Sequence, residues 1–386
     1  MILEVQPRDA AGRETLAGAA LVAADGAASL IRAELGLALE GPQDLSHIVN
    51  CYFRADIERY IGDRKGVLFF VSNEGAQGVL QPLDGAGRWL CQISRHARRM
   101  VARRLHQGTR ANWVRAAVGV ADLTRTSSPS GSGSSTPRSS KRLVQGRVVM
   151  CGDAAHQFPP TGGLGVNTGL QGMHNAMWKL AYCVQGKAGW PLLETYQTER
   201  RGVSQQITMQ SLQNSMNVVR INAAAVAGAE SGLTAAEAVA TARRYGNHLG
   251  VEFGAVYASS AVIADGTRPP PVEDSYSDYV QSATPGCRAP HVWLGRPDAE
   301  LSTLDLLGPA FTLLTAARGG AWGAAAAEVA RDLGIHIDTY TIGAAGLDDH
   351  GVSRGPMASP TMARCSCVRT GTSRGGALRV RSTVPH

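Results

Sequence analysis

Apolar and polar positions change their period several times along this chain. Residues 16–32, LAGAALVAADGAASLIR, begin as a short apolar run that stops at Ala24-Asp25-Gly26 and continue as a helix-like stretch. Between 47 and 71 the pattern alternates, placing Val49, Cys51 and Phe53 on one strand face and Val67, Phe69 and Val71 on another. Residues 77–93 predict a hairpin folded across Asp84-Gly85, a pair suited to tight turns. The middle of the chain therefore reads as a small, mostly antiparallel sheet.

Residues 143–151, LVQGRVVMC, predict one buried strand running into the turn-rich stretch GDAAHQFPPTGGLGVNTG. A long amphipathic helix is expected from about Val166, with Leu170, Met173, Met177, Leu180, Ala181 and Val184 on one stripe. Residues 186–189 break it, and Pro191 opens a second helix to about Val218. An alanine-rich helical segment covers roughly 233–245, and Pro269-Pro270-Pro271 marks a linker. From Pro285 the order strand, strand, helix (321–333), strand predicts a small α/β module, and after Asp349 the periodicity dissolves, as in disordered chain.

Composition narrows the classes. With 386 residues, 44% apolar, the chain is long enough for two or three domains with cores of their own. The net charge of +7 sits largely in three stretches, Arg95–Arg110, Arg125–Arg147 and Arg354–Arg381, without interleaved aromatics or a nucleic-acid signature, so no nucleic-acid partner is expected. Seven scattered cysteines with no C-x-x-C argue against a disulfide framework or a zinc site and for reduced thiols in the cytoplasm. Met1-Ile2-Leu3-Glu4 does not open a signal peptide, and no apolar run is long enough to span a membrane.

The chemistry concentrates at 152–181. A buried strand delivers Asp153 to its carboxyl end, where open α/β sheets hold ligands and a carboxylate can accept from sugar-alcohol hydroxyls. Pro159-Pro160 stiffen the following turn. Gly162, Gly163 and Gly165 let backbone amides approach a ligand, and a helix begins at once, with its positive end toward any anionic group. The same residues also suit a plain strand-to-helix connection with Asp153 as a cap. Likewise Ala24-Asp25-Gly26-Ala27-Ala28-Ser29-Leu30-Ile31-Arg32 reads, taken alone, as a simple turn. His156 has no partner at ligand spacing, so a structural role is expected and no metal. Trp178 and the methionines read as helix core.

The segment GDAAHQFPPTGGLGVNTGLQGMHNAMWKLA resembles the second flavin-binding motif of the group A aromatic monooxygenases, the p-hydroxybenzoate and phenol hydroxylase family. The stretch from Asp25 to Arg32 is similar to that family's D-G-x-x-S-x-x-R fingerprint. The resemblance covers roughly 15–93, 111–123 and 143–347, and departs at Gly172, where many members carry aspartate. It implies an α/β fold: a glutathione-reductase-like FAD-binding domain in two parts (1–36 and 143–225), an antiparallel substrate sheet (37–123), a helical linker region (226–284) and a thioredoxin-like domain (285–347) that is structural. The three basic stretches break the family pattern; the irregular segment 124–142 and residues 353–386 of the disordered tail (348–386) are expected to be either out-of-frame translation of a GC-rich gene or ordinary disordered loops.

By the same resemblance, Asp25, Gly26, Arg32, Asp153, Pro160, Gly162, Gly163, Leu164, Gly165, Val166 and Asn167 line the FAD. The implied reaction is hydroxylation of a phenolic or polyketide ring with NAD(P)H and O2, in a cytoplasmic protein for which a homodimer is open; no catalytic base is assigned. No G-x-G-x-x-G follows a strand, so the ADP-binding unit is expected to be missing and FAD to bind weakly or not at all. Two other readings stay open: a catalytically inactive, truncated or frameshifted remnant, and a nucleotide-binding dehydrogenase using the Val148–Asp153 strand end.

Overall fold

A computed structural model describes residues 1–6, 12–42, 46–95, 107–123, 126–135, 137–227, 234–240, 242–295, 300–316, 319–343 and 347. The tail expectation for 348–386 lies outside the described residues. The chain opens with the antiparallel pair β1 (Ile2–Val5) and β2 (Glu14–Ala17), then β3 (Leu21–Ala23). Ser29 caps the short α1 (Leu30–Glu34), its hydroxyl accepting the Arg32 amide at 3.0 Å. β4 (Leu39–Glu40) follows.

The middle sheet forms as the alternation requires. It contains β5 (Ser46–Arg54), then, after α2 (Glu58–Ile61), β6 (Phe69–Ser72), β7 (Gln77–Pro82) and β8 (Arg88–Arg95). The β7–β8 hairpin turns where Asp84-Gly85 placed it. Asp84 accepts the Ala86 and Arg88 amides at 2.9 and 3.0 Å, and these bonds hold its carboxyl below the usual range. Cys51, Phe53, Leu80, Cys91 and Ile93 face Trp113 and Val114 of α3 (Gln107–Val118) in a dry core. Val67 is 79% exposed and precedes the strand it was expected to join.

The segment expected to be irregular carries β9 (Thr126–Ser135), the edge strand of the order β6-β7-β8-β5-β9, and β10 (Arg138–Ser140). An edge strand needs backbone pairing more than an apolar face, which is how a Ser- and Gly-rich stretch qualifies.

The buried run 143–151 is not one strand. It is a hairpin, β11 (Val144–Gln145) and β12 (Val148–Met150), folded where Gly146 takes φ +60°. β12 pairs in parallel with β3, and β13 (His156–Gln157) and β4 flank β10. α4 (Leu164–Val184) then lies against α5 (Pro191–Ala227), whose leading proline suits the first turn. The expected stripe on α4 packs inward only in its middle: Met177 and Leu180 lie against the core, Leu170 and Val184 are exposed, and small and polar residues, Thr168, Gly169, Gly172, Asn175, Ala176 and Lys179, are buried. Close helix packing and a buried ion pair displace the larger side chains to the flank.

α6 (Ala235–Ala240), a single turn at Arg243–Tyr245 and α7 (Leu249–Phe253) follow. The C-terminal part has the antiparallel pair β14 (Trp293–Gly295) and β15 (Glu300–Ser302), then β16 (Phe311–Ala316), α8 (Gly320–Leu333) and β17 (Ile337–Ile342) as a parallel βαβ unit. Among the described residues no helix is long and apolar enough to cross a membrane.

Candidate functional site

Parallel pairing of β3 with β12 sets Ala23 against Met150, so the Asp25 and Asp153 motifs leave the carboxyl ends of neighbouring strands. The Cys151 amide donates to Ala23 O at 3.1 Å and continues the ladder into the site. Arg32 ties the motifs together, donating to Ala154 O at 3.0 Å and to Ala27 O at 2.9 Å; Gln157 donates to the same Ala27 carbonyl at 2.9 Å. Asp25 accepts the Ile31 amide at 3.1 Å. Burial pushes its pKa up, but the Ser29 hydroxyl and the backbone amides outweigh that and hold it below the usual carboxylate range. Asp153, in a single helical turn at Gly152–Ala154, is exposed at the same edge.

The connection to α4 is rigidly held. Pro159 is buried and Pro160 exposed. The Thr161 hydroxyl donates to Ser211 O of α5 at 2.7 Å and lies 2.8 Å from the Ser215 hydroxyl. Gly162 (φ +105°) and Gly163 (φ +67°) take left-handed conformations, and a Cβ on Gly162 would lie 3.2 Å from the Asn214 amide. Gly163 is the N-cap of α4 and has no side chain to receive the first amides, so the helix presents open donors and its positive end there. Leu164 is buried and anchors the first turn, Gly165 and exposed Val166 follow, and Asn167 donates back to Gly163 O at 3.1 Å. Gly169 lets the helix approach the Asp153 turn, since its Cβ would stand 3.3 Å from Gly152 Cα. At Gly172 a Cβ would lie 3.3 Å from the Tyr196 hydroxyl, so a side chain there needs Tyr196 to give way by a few tenths of an ångström.

Two features were not visible in the sequence. Tyr245, expected as the end of an alanine-rich helix, faces the Gly162 amide with its hydroxyl and meets Phe70 of β6 edge-on at 5.5 Å, joining the glycine loop to the sheet. The second is a sealed polar cluster: Lys179 and Glu199 are 2.8 Å apart, Asn175 donates to Glu199 Oε2 at 2.7 Å, and Ser259 donates to Oε1 at 2.7 Å. His156, 2% exposed, stacks on Phe158 at 4.7 Å. Burial, together with the nearby Arg200 charge, pushes its pKa down to about 4, so it is neutral near pH 7. Among the described residues no cluster of His, Cys, Asp and Glu is arranged to hold a metal.

The arrangement fits the ring and ribityl half of a flavin. It offers uncapped helix amides over two left-handed glycines, and exposed carboxylates at two adjacent strand ends. The family description "FAD binding domain" matches residues 4–211. The chain belongs to the FAD-dependent aromatic-ring hydroxylase family. A second description of that family, "Aromatic-ring hydroxylase, C-terminal", matches residues 282–361. A putative polyketide hydroxylase of Streptomyces halstedii is 34% identical over 94% of this chain and 62% of its own length. A 2,4-dichlorophenol 6-monooxygenase of Delftia acidovorans is 32% identical over 84% of this chain and 60% of its own. Among solved structures, the flavin-dependent monooxygenase PieE, in complex with FAD and substrate, superposes with a TM-score of 0.79 at 30% identity, over 89% of this chain and 64% of that one. The chain thus spans about 60% of the length of these hydroxylase relatives.

Proposed function

We propose that the chain acts as an FAD-dependent monooxygenase that hydroxylates a phenolic or polyketide aromatic ring with NAD(P)H and O2. The observation that carries this reading is the meeting of the Asp25 and Asp153 motifs at the ends of β3 and β12, with the uncapped α4 terminus beside them. In this reading Asp153 accepts from the ribityl hydroxyls, and Asp25, Gly26 and Arg32 border the phosphate side. Gly162, Gly163, Leu164, Gly165, Val166, Asn167 and Pro160 would hold the ring system, with the positive end of α4 favouring its anionic form. FAD, when bound, supplies hydride acceptance and oxygen transfer; one atom of O2 enters the ring and the other leaves as water as NAD(P)H is oxidised.

The chain's own share is positioning, water exclusion and electrostatics. The α4 dipole favours negative charge beside its first turn. His156 takes no part in proton transfer, because it is sealed in and held neutral. A reaction that consumes NAD(P)H suits a cytoplasmic protein. The test is to add FAD and follow NADH and NADPH oxidation with and without a phenolic substrate. Oxidation stimulated by substrate, with a hydroxylated product by mass spectrometry, supports the reading; a rate indifferent to every phenol and polycyclic phenol offered rejects it.

A further inference from the structure

The glycine loop has one open face and one backed face. At Gly163 no heavy atom lies within 4 Å of a Cβ position. Behind the loop runs α5, which turns Val203, Ile207, Ser211, Asn214 and Ser215 to one side at helical spacing. Val203 and Ile207 share a core cluster with Leu164, the first residue of α4. Asn214 is fully buried, and Gln210 donates to its side-chain oxygen at 2.9 Å. Its amide nitrogen would stand 3.2 Å from a Cβ on Gly162. Thr161 carries the one hydrogen-bonding side chain of the segment Pro159–Gly163, and commits it to this helix. Its hydroxyl donates to Ser211 O at 2.7 Å. A hydroxyl has a single proton, so the 2.8 Å contact with Ser215 runs the other way, with Ser215 donating to Thr161 Oγ1. Prolines stiffen the segment before Thr161, and two left-handed glycines leave it free after. The two bonds fix the threonine rotamer at the point where the stiffness ends. A ligand that meets a loop already ordered does not have to order it.

We propose that Thr161 is a positioning residue for the cofactor: held between Ser211 and Ser215 of α5, it sets the glycine loop in one conformation before FAD arrives. This rests on the placement of the flavin ring at that loop, proposed above. Thr161→Val removes the hydroxyl and keeps the branched shape, while Thr161→Ser keeps the hydroxyl. The full chain is followed by two measurements: amide hydrogen exchange over residues 158–166 without cofactor, and fluorescence titration with FAD. Thr161→Val is expected to speed exchange at Gly162 and Gly163 about tenfold and to weaken FAD binding about tenfold, the scale of two neutral hydrogen bonds. Thr161→Ser should match the wild type in both. Ser215→Ala removes one of the two bonds and should shift both readings about threefold. It carries the test if unfolding midpoints show that Thr161→Val does not fold. A merely structural threonine would instead speed exchange through α4 and α5 together, with no change confined to the loop. That outcome overturns the proposal. So does a Thr161→Val variant that binds FAD as tightly as the wild type, or that loses affinity while Gly162 and Gly163 exchange unchanged, and so does a Thr161→Ser variant that fails as Thr161→Val does. A wild type that binds no FAD rejects the flavin placement itself, and with it this proposal.

Discussion

Lys179 and Glu199 lie 2.8 Å apart between α4 and α5, and neither side chain is exposed. Asn175 and Ser259 also donate to this carboxylate, so residues from three parts of the chain hold the helix pair in one register. Removing one charge leaves the other buried without this ion pair, a loss of about 3–5 kcal/mol. Lys179→Met should show that loss, and the double variant Lys179→Met/Glu199→Leu should recover a large part of it. Urea unfolding of the wild type, both single variants and the double variant measures the coupling. Simple additivity would mean the two groups do not act as a pair.

Arg32 is the second long-range tie, spanning 122 residues from α1 to Ala154 O. Arg32→Ala removes its bonds to Ala27 and Ala154 and frees the two motifs to separate. Charged hydrogen bonds of this kind contribute about 1.5–3 kcal/mol, so FAD affinity is expected to fall by roughly 10- to 100-fold. Arg32→Lys keeps the charge without the planar fork and should recover only part of it. Fluorescence titration with FAD reads this directly; unchanged affinity in Arg32→Ala would remove the motif junction from the cofactor site.

What the sequence made legible was local. Asp84-Gly85, Asp25-Gly26 and the Pro-Gly stretch at 159–165 carry their turn chemistry in their own residues, and each turns where it was expected to. What stayed hidden depends on distant partners. Nothing in LVQGRVVMC shows that Gly146 folds it into a hairpin, or that Val148–Met150 pairs with Leu21–Ala23. The apolar stripe on α4 gave only the flank of its buried face, because an ion pair and small residues occupy the centre. Residues 126–135 offered no apolar alternation, yet their backbone pairs along β5. Tyr245 gains its role only from what the fold sets opposite it.

Gly163 tests whether backbone conformation or loop chemistry matters at the start of α4. Its φ of +67° disfavours side chains, but no heavy atom lies within 4 Å of a Cβ there. Gly163→Ala should therefore cost only the conformational penalty, about 1–2 kcal/mol. Gly163→Asn should cost less, because asparagine tolerates this region. Both should weaken FAD binding if the open face above Gly163 holds the ring. Thermal unfolding and FAD titration separate the two effects, and equal stability losses for Ala and Asn would contradict the conformational argument.

His156 makes the stability of the molecule depend on acid. Its folded pKa, near 4, lies below the ordinary value of 6.5 because burial, reinforced by Arg200, opposes its charge. The unfolded chain therefore binds a proton that the folded chain refuses, and stability rises with pH between those two values. The contribution is fully present above about pH 6.5 and is lost as pH falls toward 4, an effect of up to roughly 3 kcal/mol. His156→Gln, which carries no proton in this range, should flatten the dependence while leaving the acid loss due to carboxylates. Unfolding free energies at pH 7, 6, 5 and 4.5 for both proteins decide it: parallel curves would show that His156 is not the group responsible.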